Sequence, residues 1–410
     1  MPKPEVLAPA GDLERVRMAL VYGADAVYLS GPGFGMRPSG RLSIEDVASA
    51  ADLCHRNGAK IYITCNTTPT DTEADHLPKY LGQLAELGAD AVIVGDVGVL
   101  SLCRKHIPQV PVHISTQTGV MNAVTATALY DMGASRVIPA RELSLDQLAE
   151  LRRRTPKDLD IEVFVHGSLC VSFSGRCLLS DYFTGRDANA GMCAQPCRWG
   201  YALAQERRPG EYFPIVEEEN GTYILNSRDL RLIEYIPELL EAGVCSLKIE
   251  GRTKSAYYVA TVVNAYRHAL DAALRGEDPD PLWINETECL SHRPYSTGFL
   301  FGMPGQHPAG SDYLAETEFV AVVEHCDARG NARLQLRNRF SPGDELELLI
   351  PGGEAPVTFT LGDCTDAYGI PLTLANVPMM QVNTRLPQTV PPYTIVRRRT
   401  AGKVRHRSQP

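Results

Sequence analysis

The sequence predicts an α/β protein, with a (β/α)8 barrel of the TIM type followed by a small C-terminal β-barrel. Short runs of consecutive apolar residues recur through the first part of the chain. A helical pattern follows each run, as expected of parallel strands covered on both faces. From Glu318 the runs alternate apolar and polar residues between turn residues, which is typical of antiparallel strands. We therefore place the barrel at 1–278, a connecting region at 279–317, the β-barrel at 318–398 and a basic tail at 399–410.

The first seven predicted strands follow one another closely, and the eighth comes after a long gap. In order, the strands are Glu5–Pro9, Ala26–Leu29, Lys60–Cys65, Ala91–Val94, Val112–Ser115, Arg136–Pro139, Ile161–Val165 and Ser246–Ile249. The helices between them, such as Leu13–Tyr22 and Leu145–Arg154, have apolar residues three and four apart. The sequence G-A-D-A-V occurs at 23–27 and at 88–92, where a glycine ends a helix just before a buried strand. Eight such units close most simply as a right-handed parallel barrel.

One insertion interrupts the barrel pattern, at about 167–245, between the seventh and eighth strands. It carries four cysteines and an acidic polar stretch. In (β/α)8 barrels the segments that follow the carboxyl ends of strands build the active-site face. We therefore expect this cysteine-bearing insertion to lie on the catalytic face.

The four cysteines of the insertion are spaced C-x6-C-x15-C-x3-C, at Cys170, Cys177, Cys193 and Cys197. The other seven cysteines are scattered singly, so these four form a candidate thiolate ligand set. The wide spacing favours a 4Fe-4S cluster over zinc, because structural zinc sites usually pair ligands two to four residues apart. Inert buried thiols are the third interpretation. Disulfides are disfavoured because the chain begins M-P-K-P-E-V without a signal segment, which predicts a reducing, cytoplasmic location.

Polar residues end the predicted strands, where barrel enzymes keep their chemistry. Cationic members of this set favour an anionic small molecule, since guanidinium groups bind carboxylates in a bidentate manner. We assign catalytic roles to His166, Glu250 and Arg252. We assign substrate binding to Asn66, Asp96, His113, Gln117, Arg141, Lys248 and Lys254.

The charge of the chain is unevenly distributed. The net charge of −9 argues against a general nucleic-acid coat. No apolar run is long enough to span a bilayer, so no membrane association is expected. Six cations lie near the C-terminus, at Arg397, Arg398, Arg399, Lys403, Arg405 and Arg407. Three more alternate along one face of a predicted strand, at Arg333, Arg337 and Arg339. These groups are either RNA-backbone contacts or an ordinary solvated tail and strand face.

Several long motifs resemble those of the collagenase-like peptidase family U32. They are L-A-P-A-G, E-V-F-V-H-G-S-L-C-V-S-F-S-G-R-C-L-L-S, M-C-A-Q-P-C-R-W, E-E-N-G-T-Y-I-L-N-S-R-D-L and S-L-K-I-E-G-R-T-K-S-A-Y-Y. The later stretches resemble the branch that carries out prephenate-dependent 5-hydroxylation of tRNA uridine at wobble position 34. This resemblance implies an iron-sulfur protein with tRNA, prephenate and the iron-sulfur assembly machinery as partners. By position, the four clustered cysteines would be its cluster ligands; no oligomeric state follows.

The peptidase activity in the family's name can be judged from the residues. The chain has no H-E-x-x-H, no G-x-S-x-G and no obvious Cys/His/Asn arrangement. A thiolate bound to iron is also not a free nucleophile. We therefore favour tRNA hydroxylation over proteolysis. A non-catalytic, metal-stabilised RNA-binding protein is the third hypothesis.

Overall fold

The computed structural model has two parts, a barrel wrapped by helices and a C-terminal module made of strands. It describes residues 3–36, 41–170, 172–199, 203–204, 212–213, 227–304 and 314–400. The strands are β1 Glu5–Pro9, β2 Ala26–Leu29, β3 Lys60–Cys65, β4 Ala91–Val94, β5 Val112–Ile114, β6 Arg136–Val137, β7 Asp160–Ser168, β8 Leu203–Ala204, β9 Tyr212–Phe213, β10 Asp229–Arg231, β11 Ser246–Ile249, β12 Tyr295–Ser296, β13 Thr317–Cys326, β14 Asn331–Leu336, β15 Glu345–Leu349, β16 Val357–Thr360, β17 Cys364–Asp366, β18 Pro371–Leu372, β19 Gln381–Arg385 and β20 Ile395–Arg399. The helices are α1 Leu13–Val21, α2 Ile44–Arg56, α3 Asp71–Ala74, α4 Leu77–Glu86, α5 Val97–His106, α6 Ala123–Asp131, α7 Leu145–Arg154, α8 Leu179–Thr184, α9 Ile236–Glu241, α10 Ala256–Leu274 and α11 Pro281–Glu288.

Eight parallel strands close the barrel, which confirms the predicted fold. Strands β1 to β7 pair in sequence order, and β11 completes the ring by pairing with both β7 and β1. The predicted fifth and sixth strands end earlier than expected, at Ile114 and Val137. Ser115 instead caps a short 3-10 turn with its side chain. Strand β7 is longer than predicted because its last residues leave the barrel wall and pair antiparallel with β10.

The barrel strands bury both faces, as their continuous apolar runs predict. A small inner cluster contains Leu7, Tyr28, Tyr62, Ile93 and Phe164. The alternate strand residues pack outward into a larger core shared with the helices. Within the described ranges, no helix is long and apolar enough to cross a bilayer.

The C-terminal module is one antiparallel sheet that curls into a half-barrel. Its strand order is β16-β15-β20-β13-β14-β19-β17-β18. The five strands expected from the sequence correspond to β13, β14, β15, β16 and β20. Strands β17 to β19 were not predicted. The module has its own apolar core, which includes Leu334, Leu346 and Val382.

Polar contacts join the module to the barrel helices. The Tyr22 hydroxyl on the barrel side donates to the carbonyl of Leu349, at 2.7 Å, and accepts the backbone N–H of Ile395, at 3.1 Å. Arg337 pairs with Glu14 of α1. These contacts lie on the outer helical layer of the barrel.

Two of the predicted RNA-contacting groups are placed differently by the structure. Arg397 is fully buried inside β20 and makes ion pairs, so the prediction that it belongs to a phosphate-binding tail is wrong. The three arginines near β14 do not share one strand face, because the strand ends at Leu336, before Arg337 and Arg339. Arg333 does lie exposed on β14. Arg398 and Arg399 also lie on β20 and pair with Asp344 and Glu347, whereas Lys403, Arg405 and Arg407 lie outside the described residues.

Candidate active site at the barrel mouth

A loop that follows β7 crosses the barrel mouth, where the carboxyl ends of the strands meet; we call residues 169–199 the cysteine segment. Gly175 has a left-handed φ of 73°, and a Cβ there would overlap the carbonyl oxygen of Gln117, just past β5. Gly191 has a φ of 88°, and its Cβ would lie 3.0 Å from the carbonyl oxygen of Gly35, after β2. Because a side chain would prevent this approach, the two glycines seat the segment across the mouth.

The β6 side of the mouth holds the same segment through polar contacts. Ser174 donates its backbone N–H and its hydroxyl to the two carboxylate oxygens of Glu142, at 3.0 and 2.9 Å. Arg141 donates to the carbonyl of Ser168 at 3.1 Å. The Arg141 guanidinium also lies 4.1 Å from the centroid of the Phe164 ring, which belongs to the barrel interior. Arg141 is therefore at the mouth, as predicted.

Of the four clustered cysteines, Cys170 is exposed and Cys177, Cys193 and Cys197 are half-buried. The backbone N–H of Gln195 donates to the sulfur of Cys193 at 3.4 Å. In the described part of the chain, no three His, Cys, Asp or Glu side chains lie close enough to hold one metal ion. The donors suit a cluster or zinc, but their sulfurs do not converge in this arrangement.

A buried network of charges fills the amino-terminal half of the barrel interior. Arg136 donates to Glu5 at 2.5 Å and to Glu162 at 3.0 Å. The ammonium of Lys248 donates to the second oxygen of Glu162 at 2.6 Å, and the Ser246 hydroxyl donates to Glu5 at 2.8 Å. Burial alone would raise the pKa of Glu162, but Lys248 and Arg136 together hold that pKa below its usual value. Each buried carboxylate therefore faces a cation, which buried charges require.

Nearer the mouth, Lys248 and Arg252 share one aromatic ring. The Tyr28 ring centroid lies 4.5 Å from the Lys248 ammonium and 5.8 Å from the Arg252 guanidinium carbon. Arg252 also donates to the hydroxyls of Ser30 and Thr64, the latter at 3.1 Å. This arrangement brings together two predicted site residues as a cationic layer beneath the mouth. Sequence reasoning missed the two hydroxyls and the ring, because small polar and aromatic residues in a strand give no distinct signal.

His166 lies elsewhere, outside the barrel wall against α10. A register shift in the pairing of β7 with β11 falls just before this residue. Its two ring nitrogens each lie 3.4 Å from a tyrosine hydroxyl, those of Tyr266 and Tyr295, and Tyr258 packs nearby. The structure therefore does not place His166 with Lys248 and Arg252, and its catalytic role remains a prediction. Burial lowers the pKa of His166 to about 3.

His113 does lie inside the barrel, edge-on to Tyr62 with ring centroids 4.8 Å apart. Burial, reinforced by the nearby Arg136 and Lys248 cations, lowers its pKa well below the usual range. Its Nδ1 is buried and has no hydrogen-bond partner among the described residues. At this depth, only a ligand that enters the barrel interior can contact the neutral imidazole.

The other predicted binding residues surround the mouth. Asn66 donates to the Ser115 hydroxyl at 3.3 Å, and Gln117 contacts the cysteine segment through its backbone. Asp96 caps α5 by accepting the backbone N–H of Val99, at 3.1 Å. Two further predicted residues, Glu250 and Lys254, follow β11 and contact neighbouring residues of the fold. The backbone of Glu250 bonds to His166 and Tyr258, and the Lys254 ammonium lies 5.3 Å from the Tyr258 ring centroid.

The neutral state of His166 predicts a pH dependence of stability. Its imidazole binds a proton near pH 6.5 in the unfolded chain but only near pH 3 in the folded one. Between these values the unfolded state holds the extra proton. The free energy of unfolding should then fall by about 1.4 kcal/mol per pH unit as pH decreases. We expect His166→Gln to reduce the stability difference between pH 7 and pH 5 by about 2 kcal/mol.

Urea unfolding at the two pH values measures this effect. The exposed His106 provides the control, and His106→Gln should keep the wild-type pH dependence. An unchanged dependence in His166→Gln would mean that the folded protein protonates this imidazole normally.

The fold and the site together define a TIM-type barrel whose cationic mouth is covered by a thiol-bearing segment. Residues 11–309 match the model of peptidase family U32, and residues 315–397 match the model of the family's C-terminal domain. The chain therefore belongs to peptidase family U32.

Several curated relatives of the chain are named for RNA modification. The tRNA hydroxylation protein P of Escherichia coli is 36% identical, over 91% of this chain and 91% of that protein. The tRNA hydroxylation protein P1 of Bacillus subtilis is 37% identical, over 97% of this chain and 95% of its own. A 23S rRNA 5-hydroxycytidine synthase of Escherichia coli is 40% identical over 73% of this chain, which matches 46% of that longer protein.

Proposed function

We propose that this protein hydroxylates tRNA, forming 5-hydroxyuridine at the wobble position with prephenate as co-substrate. The observation that carries the proposal is the likeness to tRNA hydroxylation proteins across both domains, at 36–37% identity. The barrel mouth adds a physical argument. It gathers Arg141, Lys248 and Arg252 beneath the cysteine segment, and such cations at the carboxyl ends of strands suit a small anion.

The cations of the mouth would recognise prephenate through its two carboxylates. Arg141 is half-buried at the rim, whereas Arg252 and Lys248 lie deeper on the Tyr28 ring. Guanidinium groups in a dry pocket bind carboxylates strongly and fix their orientation. The chain would thus hold the anion at the mouth, and the cysteine segment would shield it from water.

The same proposal includes a 4Fe-4S cluster held by Cys170, Cys177, Cys193 and Cys197, supplied by the iron-sulfur assembly machinery. Support comes from four cysteines gathered in one segment and from the hydrogen bond that the Gln195 N–H donates to the sulfur of Cys193. The segment would have to draw its sulfurs together around the group. Zinc is the alternative occupant, and metal and sulfide analysis separates the two.

Proteolysis finds no support at the mouth. Ser174 is the candidate nucleophile of the cysteine segment that lies at the mouth, and its hydroxyl donates to Glu142 at 2.9 Å. Its other described partner is the backbone of Arg141. A serine nucleophile needs a positioned general base, usually histidine, and these contacts provide none.

The test is a gene deletion followed by mass spectrometry of tRNA nucleosides. We expect 5-hydroxyuridine and its derivatives to disappear from tRNA and to return when the intact gene is supplied. The purified protein should not degrade casein or gelatin. Unchanged tRNA in the deletion strain, together with casein cleavage that depends on one Ser or His, would reverse the proposal in favour of a peptidase.

A further inference from the structure

The cysteine segment exposes several large aromatic side chains that a metal-binding role of its cysteines would not require. Tyr182 and Phe183 are adjacent on α8, with ring centroids 5.2 Å apart, and Tyr182 is 83% exposed. Helix α8 packs against the 3-10 turn Pro196–Arg198, which exposed Trp199 follows directly. Monomeric proteins seldom expose several aromatic rings together without a binding role.

Two exposed arginines flank these rings. Arg176 and Arg186 lie in the same segment, and within the described residues neither makes an ion pair or a side-chain hydrogen bond. Of the nearby acids, Asp187 already accepts the backbone N–H of Asn189 at 2.7 Å. Since the chain as a whole carries a net charge of −9, binding to a polyanion depends on such local cations.

We infer that Tyr182, Phe183 and Trp199, with Arg176 and Arg186 beside them, form a stacking platform for single-stranded RNA next to the barrel mouth. This inference rests on the proposed tRNA hydroxylation and names the surface that receives the RNA. A base can reach a covered mouth only if it leaves its stack. Aromatic rings replace the lost stacking of the neighbouring bases, and arginines contact the phosphates.

The test compares two exposed tyrosines in the full-length protein. Tyr182→Ala should weaken binding of an anticodon stem-loop with a loop uridine by roughly 5- to 150-fold, the range for loss of one stacked base. Affinity for a blunt RNA duplex of equal length should not change. Tyr182→Trp should retain binding, because it keeps a ring. Tyr368→Ala is the matched control, since Tyr368 is 90% exposed on the C-terminal module.

The arginines give an independent measurement. Arg176→Gln and Arg186→Gln should each lower the salt dependence of stem-loop binding, by roughly 0.7 to 0.9 in log-log slope per lost phosphate contact. Stem-loop binding that is the same in Tyr182→Ala and wild type would overturn the platform. A change in sedimentation without a change in RNA binding would assign the rings to self-association instead.

These outcomes are distinct from failure of the proposed function. Normal RNA binding in Tyr182→Ala with intact tRNA hydroxylation in cells would refute the platform alone. Weakened stem-loop binding by Tyr182→Ala, in a protein whose deletion leaves tRNA unchanged, would refute hydroxylation and keep the RNA surface.

Discussion

Replacing Cys193 by serine should reduce 5-hydroxyuridine in tRNA to the level of a deletion strain. We expect wild-type protein purified without oxygen to contain about four iron and four sulfide per chain and to absorb at about 400 nm. The Cys193→Ser protein, purified in the same way, should lack both the iron and this absorbance. The physical reason is that a serine hydroxyl stays protonated at neutral pH and is a poor ligand for iron, whereas a thiolate binds it strongly.

The matched control for this change is Cys326→Ser. Cys326 is also a half-buried free thiol, but it lies in the C-terminal module at the end of β13. The Cys326→Ser protein should therefore keep the iron content and the tRNA hydroxylation of the wild type. If the wild type instead contained stoichiometric zinc and no sulfide, the site would be a zinc site and not an iron-sulfur cluster. Unchanged iron content in Cys193→Ser would exclude this cysteine as a ligand.

The largest expected loss of stability comes from Arg397→Met. Arg397 is fully buried and donates to Glu286 of α11 at 2.6 Å and to Glu347 of β15 at 2.8 Å. Glu347 keeps a second partner in Arg399, at 2.6 Å, but Glu286 would be left as a buried carboxylate without its cation. Breaking a buried pair in this way costs about 3–5 kcal/mol of unfolding free energy.

Arg398 on the same strand offers a control. Its guanidinium pairs with Glu318 and Asp344 but is partly exposed, so Arg398→Met should cost less than about 1 kcal/mol. Urea unfolding monitored by circular dichroism compares the two. Equal losses would show that burial does not distinguish these ion pairs.

Arg397 also changes how the C-terminal tail must be tested. Truncation after Val396 would remove both the buried arginine and most of a central strand, and would therefore destabilise the module. An RNA-binding test of the tail needs the cut after Thr400, which leaves β20 intact.

The sequence predicted strands with a clear apolar pattern, and it did not predict short or mainly polar strands that lack one. The eight barrel strands were visible because both of their faces are buried, which makes their apolar runs continuous. Strands β10 and β12 could not be predicted, because they have only three and two residues and form only where the tertiary structure brings a partner strand beside them. In the module, β19 was missed because Gln381–Arg385 alternates only two buried residues with polar ones.

Site residues show the same division. The sequence predicted a cationic pocket at the barrel mouth, and the structure places Lys248 and Arg252 on the Tyr28 ring and Arg141 on the Phe164 ring. The sequence pattern could not show which way a side chain points, so it grouped His166 with them although a shift in strand register places its ring against α10. It also overlooked Glu162, because a carboxylate within an apolar strand becomes meaningful only once its cations are known.

The position of β20 has a consequence for the order in which the protein assembles. This last described strand lies between β13 and β15, so without it the module's sheet separates into a β15–β16 hairpin and a group containing β13. A lone hairpin is marginally stable, and the ten-residue β13 would present an open edge to other chains. During synthesis, β13 emerges from the ribosome well before the strand that covers it. The interval between these two events is when the nascent chain is most exposed to misassembly, and a slower ribosome would lengthen it.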